Sequence, residues 1–327
     1  MFELPSVLDA SGLLDKAFGR AAKATATGPD RMARARNLAV ARVKIAGQAI
    51  ESTLRGLVKG FPSLGRLPPF YRELVDLLVD EDSLKKHLGA VDWAAQRAAA
   101  IAREYRRRIG RADGKAIGEL RRAAYGRLSS LVKQVAPDLE ALRDARRALR
   151  RLPDIDPAVR TIVVAGYPNV GKSSFVRSVS SGRPKIAVYP FTTQRVSVGH
   201  FDRGNERFQI LDTPGLLDRP MAKRNAMERQ AISALAHLAN GVLFILDPTE
   251  TCGYTVEDQR RLLEEIRALL PKVPFVIVAN KADIGGTSAD AIPVSALNAE
   301  GTREAVDALL SKLTSRGPEG GPRSAGP

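Results

Sequence analysis

An α/β domain with a mostly parallel sheet and helices on both faces, preceded by an all-α helical bundle, is the architecture that this 327-residue chain predicts. Three observations lead there. From about residue 160 onward, apolar runs of strand length alternate with segments of helical period. The first of those runs, Thr161-Ile162-Val163-Val164-Ala165, passes directly into the glycine-bearing turn Gly166-Tyr167-Pro168-Asn169-Val170-Gly171-Lys172-Ser173. Ahead of it, the chain reads almost wholly as helix. The expected domains are residues 1–156 for the bundle and 157–315 for the α/β part, followed by a Gly- and Pro-rich tail, 316–327, that buries too little apolar surface to order itself.

The bundle is read from spacing. Val43, Gly47, Ile50, Leu54 and Leu57 recur three and four residues apart and form one helical face. Val91, Ala94, Ala98, Ile101 and Tyr105 form a second, and Ile117, Leu120, Ala124, Leu128, Leu131 and Val135 a third. Pro137 suits the first turn of a shorter helix that buries Leu139, Leu142 and Leu149. Gly47, Ala94 and Ala98 are small enough to let helices approach closely. Breaks fall at 61–65, 68–69, 80–82 and 112–114. Three long helices with shorter companions is the simple packing, and Arg151 to Pro157 reads as the linker. Trp93 and Tyr125 are expected in the core, with base stacking the alternative. Cys252 is expected as a small packed residue, and His237 as a structural residue of an apolar helix.

In the second part, strands are expected near residues 160, 197, 207, 242, 275 and 291, with helices starting near 172, 226, 255 and 301. Gly166 and Gly171 let the backbone curl so that successive N–H groups point at one anion. The loop Tyr167, Pro168, Asn169, Val170 and Gly171, with Ser174 beyond it, is therefore expected to wrap a phosphate group. Lys172 brings a cation to the terminal phosphates, the Ser173 hydroxyl reaches a Mg2+ ion, and the helix that follows adds its positive end.

Residues downstream select the base. Asn280-Lys281-Ala282-Asp283 follows the apolar run 274–279. A carboxylate at a strand end accepts two hydrogen bonds from the N1–H and exocyclic amine of guanine, and adenine has no such donor pair. Lys281 can lie over the base and Asn280 can tie this loop to the phosphate loop. Ser295 and Ala296 would offer a backbone N–H to the guanine oxygen. Asp212-Thr213-Pro214-Gly215 ends another run, 208–211. Asp212 can hold Mg2+ through water, and Gly215 lets its N–H approach the γ-phosphate. Tyr189-Pro190-Phe191-Thr192-Thr193 reads as a first switch, with Thr193 the favoured Mg2+ ligand and Thr192 the alternative. Loops 182–195 and 213–225 are the segments expected to change with nucleotide state.

Together these residues resemble a GTPase of the translation-factor-related class. The runs Asp212 to Pro220, Arg229 to Ile232, Ala234 to Pro248 and Glu250 to Tyr254 are similar to the Nog family, nucleolar GTP-binding proteins among the Obg-related GTPases, and to its short archaeal form. The resemblance implies a P-loop GTPase domain behind a helical domain, with GTP or GDP and Mg2+ as ligands. Mg2+ would be held by Ser173, Thr193 and Asp212. Conversion of GTP to GDP and phosphate would rest on Lys172, Thr193, Gly215 and Asn169. It also implies a role in assembly of the large ribosomal subunit. Many GTPases place a glutamine after Asp-x-x-Gly to orient the attacking water. Here that residue is Leu216, so intrinsic turnover is expected to be slow. In several relatives with a hydrophobic residue there, an asparagine of the phosphate loop helps bind potassium, which the resemblance carries onto Asn169. Loop capping is the alternative for Asn169.

Composition bounds the partners. The net charge is +15, and residues 1–160 hold 31 Lys and Arg against 19 Asp and Glu, so the basic excess belongs to the bundle. Arg103, Arg106, Arg107 and Arg108, then Arg121, Arg122 and Arg127, then Arg143, Arg146, Arg147 and Arg150 repeat on three helices. That pattern points to RNA as the partner, and the resemblance implies that this RNA is ribosomal, in a precursor of the large subunit. DNA binding and stable membrane association are not expected; a monomer is. No run of about 18 apolar residues is present. One cysteine excludes an intrachain disulfide framework and fits a reducing compartment, so a cytoplasmic location is expected. Two other readings stay open: a guanine-nucleotide-sensing RNA-binding placeholder with negligible turnover, and a switch on an anionic membrane surface. If Asn169 recruits a monovalent cation, GTP turnover in potassium exceeds that in sodium by at least about tenfold, part of the ~10³–10⁵ that a transition-state cation contributes. Equal rates in the two salts would remove that role.

Overall fold

Helical period becomes helix wherever the sequence supplies a start and a face. The computed structural model describes residues 4–189 and 195–314. Its first six helices are α1 (Ala10–Ala22), α2 (Arg31–Gly60), α3 (Pro69–Val79), α4 (Glu81–Gly110), α5 (Lys115–Gln134) and α6 (Ala136–Leu149). The Asp9 and Asp30 carboxylates cap α1 and α2, accepting from Gly12 N–H and Ala33 N–H at 2.7 Å each. The α2 face buries Val43, Ile50, Leu54 and Leu57, and the α4 face buries Val91, Ala94, Ala98 and Ile101. These faces meet at Gly47, where an added Cβ would overlap the Cβ of Ala102. Trp93 departs from the expectation of a core residue and is 47% exposed. It lies two positions past Val91, off the buried face. Tyr125 is half-buried and stacks on Phe18 with ring centroids 4.4 Å apart.

After α6 the pattern changes to strands and helices in alternation. These are β1 (Arg160–Ala165), α7 (Lys172–Val179), β2 (Lys185–Val188), β3 (Arg195–Arg203), β4 (Glu206–Asp212), α8 (Ala226–Ala236), β5 (Ala239–Leu246), α9 (Val256–Leu269), β6 (Phe275–Ala279), β7 (Ile292–Pro293) and α10 (Thr302–Thr314). The seven strands form one sheet in the order β2-β3-β4-β1-β5-β6-β7. The β2/β3 and β3/β4 pairs are antiparallel and the rest are parallel. Strands β1 and β5 are buried along most of their length, as central parallel strands must be. Strand β2 is the one that the sequence pattern did not reveal. It is a four-residue edge strand, and its Ile186 is 67% exposed, so no buried run marks it.

Contacts divide the chain into two units, residues 2–66 with 78–150, and residues 67–77 with 151 onward. By these contacts α3 packs within the α/β unit. The Tyr71 hydroxyl lies 2.9 Å from the carbonyl of Pro153 and 2.5 Å from that of Ile155, and accepts from Ile155 N–H at 3.1 Å. The segment expected as a linker is therefore pinned from α3. It is also pinned by Gln209, whose amide accepts from Asp156 N–H at 3.1 Å and donates to the Asp156 carbonyl at 2.7 Å. Among the described residues, no helix is long and apolar enough to cross a membrane.

Two glycines of α2 give opposite expectations. Alanine normally stabilises a helix interior by about 1 kcal/mol over glycine, and Gly56 has nothing within 4 Å of an added Cβ. Gly56→Ala should therefore raise the melting temperature, whereas Gly47→Ala should lower it through overpacking of about 1–3 kcal/mol against Ala102. Thermal unfolding that moves both variants the same way would contradict the close α2–α4 approach.

Candidate functional site

Strand C-terminal ends of a parallel sheet leave a crevice where loops converge. Here the loops after β1, β4, β5, β6 and β7 meet. Gly166 has φ 138°, and a Cβ on it would come within 2.5 Å of the Ile245 carbonyl oxygen. Gly171 has φ 102°, and a Cβ on it would strike the Asn280 amide. Both positions therefore require glycine. Between them Asn169 takes φ 64°, with its side chain exposed. Tyr167 is buried and stacks on Tyr254 at 4.1 Å between centroids. Pro168 is half-buried and Val170 is fully buried beneath the loop.

Lys172 opens α7 and turns back into the loop, where its ammonium donates to the carbonyls of Gly166 at 2.8 Å and Tyr167 at 2.7 Å. Burial pushes its pKa down, opposed by the charges of Asp212 and Asp218. The Ser173 hydroxyl donates to Asp212 Oδ2, and Ser174 is half-buried one residue on. Asp212 ends β4 almost fully buried, and burial raises its pKa against the pull of Ser173 and Lys172. Its other oxygen, Oδ1, is buried without a hydrogen-bond partner. A hydroxyl and a carboxylate brought together, with one carboxylate oxygen unused, suit Mg2+, which is commonly held by one or two side chains plus substrate phosphates. No cluster of three or more His, Cys, Asp or Glu side chains among the described residues forms an all-protein alternative. Thr192 and Thr193 lie outside the described residues.

One amide joins three loops. Asn280 Nδ2 donates to the Val170 carbonyl at 2.7 Å, and Asn280 Oδ1 accepts from Ala296 N–H at 2.9 Å. The N–H of Ser295 is taken by the Glu300 carbonyl at 3.0 Å. A base oxygen brought to Ala296 would thus share its N–H with Asn280. Asp283 is exposed in a short 3-10 turn, Ala282–Ile284. Lys281 adopts φ 67° and extends its ammonium to Asp247 Oδ2 and Thr251 Oγ1, both at 2.6 Å.

Sequence reasoning assigned no role to the groups behind these. Asp247, wholly buried at the end of β5, also accepts from Cys252 N–H at 2.8 Å and the Thr249 hydroxyl at 2.5 Å. Burial works to raise its pKa, yet Lys281, Thr249 and Cys252 hold it at about 2. Asp218 and Arg224 are buried beside Gly215. A charged residue following Leu216-Leu217 was the available signal. His237, expected as structural, caps the end of α8 exposed and bonds Glu73 of α3 at 2.8 Å.

A glycine-bent loop between β1 and α7, with its lysine, serine and facing aspartate, defines a P-loop nucleotide-binding α/β protein that carries a helical domain. The comparisons place it more closely. Residues 2–156 match the NOG1 N-terminal helical domain, and residues 226–283 match nucleolar GTP-binding protein 1. The chain is 38% identical over 288 residues to nucleolar GTP-binding protein 1 of Saccharomyces cerevisiae, covering 86% of this chain and 44% of that protein. It is 37% identical over 287 residues to an uncharacterised protein of Methanocaldococcus jannaschii, covering 80% of it. A solved structure of a nucleolar GTP-binding protein 1 from Plasmodium falciparum is 36% identical, covering 50% of this chain and 91% of that one, with a TM-score of 0.45. The chain belongs to the Nog family. It spans less than half the length of the yeast relative.

Replacing Asn280 by Ala leaves the Val170 carbonyl and Ala296 N–H unsatisfied, each at about 1–3 kcal/mol. Chemical denaturation should show a loss of about 2 kcal/mol or more. A loss under ~0.5 kcal/mol would mean that the amide is not what joins the loops.

Proposed function

We propose that this chain binds GTP, hydrolyses it to GDP and phosphate, and acts as an assembly factor of the large ribosomal subunit, holding ribosomal RNA through its helical unit and changing its grip with nucleotide state. The observation that carries the nucleotide part is the Asn280 bridge, which holds the base-reading loop against the phosphate loop. In this reading Asp283 accepts the guanine N1–H and amine, and Lys281 lies along the base with its ammonium fixed on Asp247. Mg2+ is held by Ser173, Asp212 and Thr193, with Thr192 the alternative, and potassium is held beside Asn169.

The RNA part is supported by a groove of about 450 Å³ between α2 and α4. Lys44, Arg55, Arg103 and Arg106 line it. Its one acid, Glu51, is engaged with Arg55 at 3.3 Å, and Arg106 Nε is buried without a partner. An excess of cations along one groove is what a phosphate backbone neutralises. A monomer working in the cytoplasm fits this reading. The placeholder reading is favoured by one observation. Leu216 is completely buried, so the residue in the usual glutamine position neither bonds water nor faces it.

Two titrations test the proposal. GTP should bind at least about 10²-fold tighter than ATP, and Asp283→Ala should abolish the difference, because a site built around a polar partner rejects the analogue lacking it. Binding to large-subunit ribosomal RNA should weaken with salt, and Arg103→Gln and Arg106→Gln should each reduce the slope of log K against log salt by about 1. Equal affinity for the two nucleotides ends the guanine reading, and unchanged slopes end the groove.

A further inference from the structure

Leu216 leaves a question of chemistry: what orients water against the γ-phosphate when the residue after Gly215 is apolar and buried? The described residues contain a group placed to do so. Gly215 takes φ 79°, and its N–H, the donor expected to face the γ-phosphate, is bonded at 2.6 Å to Asp218 Oδ2. Asp218 is nearly buried and its second oxygen, Oδ1, has no hydrogen-bond partner. Arg224 stands 3.8 Å from that oxygen with its side chain 1% exposed. Its guanidinium is fixed on the same loop, donating to the carbonyls of Gly215 at 3.0 Å and Arg219 at 2.8 Å, while Nε is buried without a partner. A buried carboxylate is costly unless it is paired and fully bonded. This one is neither bonded at both oxygens nor in close contact with its cation.

The geometry points to Asp218 as the side chain that orients the attacking water, with Arg224 the positioning residue that balances its charge. This inference rests on the reading that the chain hydrolyses GTP. An incoming γ-phosphate oxygen takes the Gly215 N–H and displaces the carboxylate from it. Two anions then face each other across the loop. A water between them relieves the repulsion by donating a hydrogen bond to Asp218, which turns its lone pair toward phosphorus. The water oxygen forms a bond to the γ-phosphorus, the bond from that phosphorus to the β–γ bridging oxygen breaks, and GDP leaves with the bridging electron pair. Both water protons end on the phosphate product, so GTP and water become GDP and dihydrogen phosphate.

The test uses the full chain and three ligands: GDP, a non-hydrolysable GTP analogue, and GDP with aluminium fluoride as a mimic of the transferring group. Asp218→Asn should keep GDP affinity within about threefold and bind the GTP analogue equally or more tightly, since a weaker competitor holds the Gly215 N–H. It should lower single-turnover hydrolysis by about 10²-fold, the usual contribution of one positioned group, and lose affinity for the aluminium fluoride complex by a similar factor. Asp218→Glu keeps the charge and displaces the acceptor, so it should lose rate while retaining GDP affinity. It decides the matter if the Asn variant does not fold. Hydrolysis unchanged within twofold in the folded variants overturns the role, as does tighter analogue binding with an unchanged rate, which would make the contact an autoinhibitory one. So does a parent chain that binds GTP without turning it over. A parent chain that binds no guanine nucleotide sinks the reading underneath instead.

Discussion

The site depends on a single side-chain amide. Asn280 can be both donor and acceptor at once, and it spends one function on the loop after β1 and the other on the loop after β7. No carboxylate or ammonium could do this, since each offers only one polarity. The amide is buried, so each bond forms in a low dielectric and leaves a costly orphan if broken. The same amide lies against Gly171, where no Cβ is accommodated. Glycine at 171 and asparagine at 280 are thus one constraint written at two places in the chain.

A second cage lies behind the first. Lys281 carries φ 67°, a conformation that L side chains seldom adopt, and that turn sends its ammonium back to Asp247 rather than out to solvent. Asp247 directly follows β5, and hydroxyls from Thr249 and Thr251 also bond it. The aspartate therefore sets where the aliphatic stem of Lys281 lies and holds it in one place. Its depressed pKa means that this arrangement contributes stability above the ordinary carboxylate range. That contribution is lost progressively as pH falls from the ordinary carboxylate range to about 2.

Much of this was legible in the sequence because it is local or periodic. The faces through Val43 and Val91 follow from a 3.6-residue repeat, and the phosphate loop from glycines at fixed offsets. What was not legible depends on the fold. Strand β2 exposes Ile186 at the sheet edge and so lacks a buried run. Trp93 reads as core by type alone, whereas its position relative to Val91 decides its exposure. Asp218 and Arg224 look like surface charges until Gly215 folds back over them. The allegiance of α3 is the largest such case, because its apolar residues Phe70, Leu74 and Val75 would suit either unit.

That allegiance has a mechanical consequence. Phe70 lies 6.4 Å, between centroids, from the ring of Tyr189, the last described residue before Thr192 and Thr193. The Tyr189 hydroxyl donates to the Ala231 carbonyl in α8 at 2.8 Å, and Glu73 reaches His237 at the end of the same helix. Helix α8 follows directly on the loop that carries Gly215, Asp218 and Arg224. One short helix thus touches both Tyr189 and the end of α8. It is joined at both ends to chain that belongs to the helical unit. Packed side chains repack in discrete steps rather than deforming smoothly. A displacement of Tyr189 or of the end of α8 would therefore act on α3 directly, through Phe70 or Glu73.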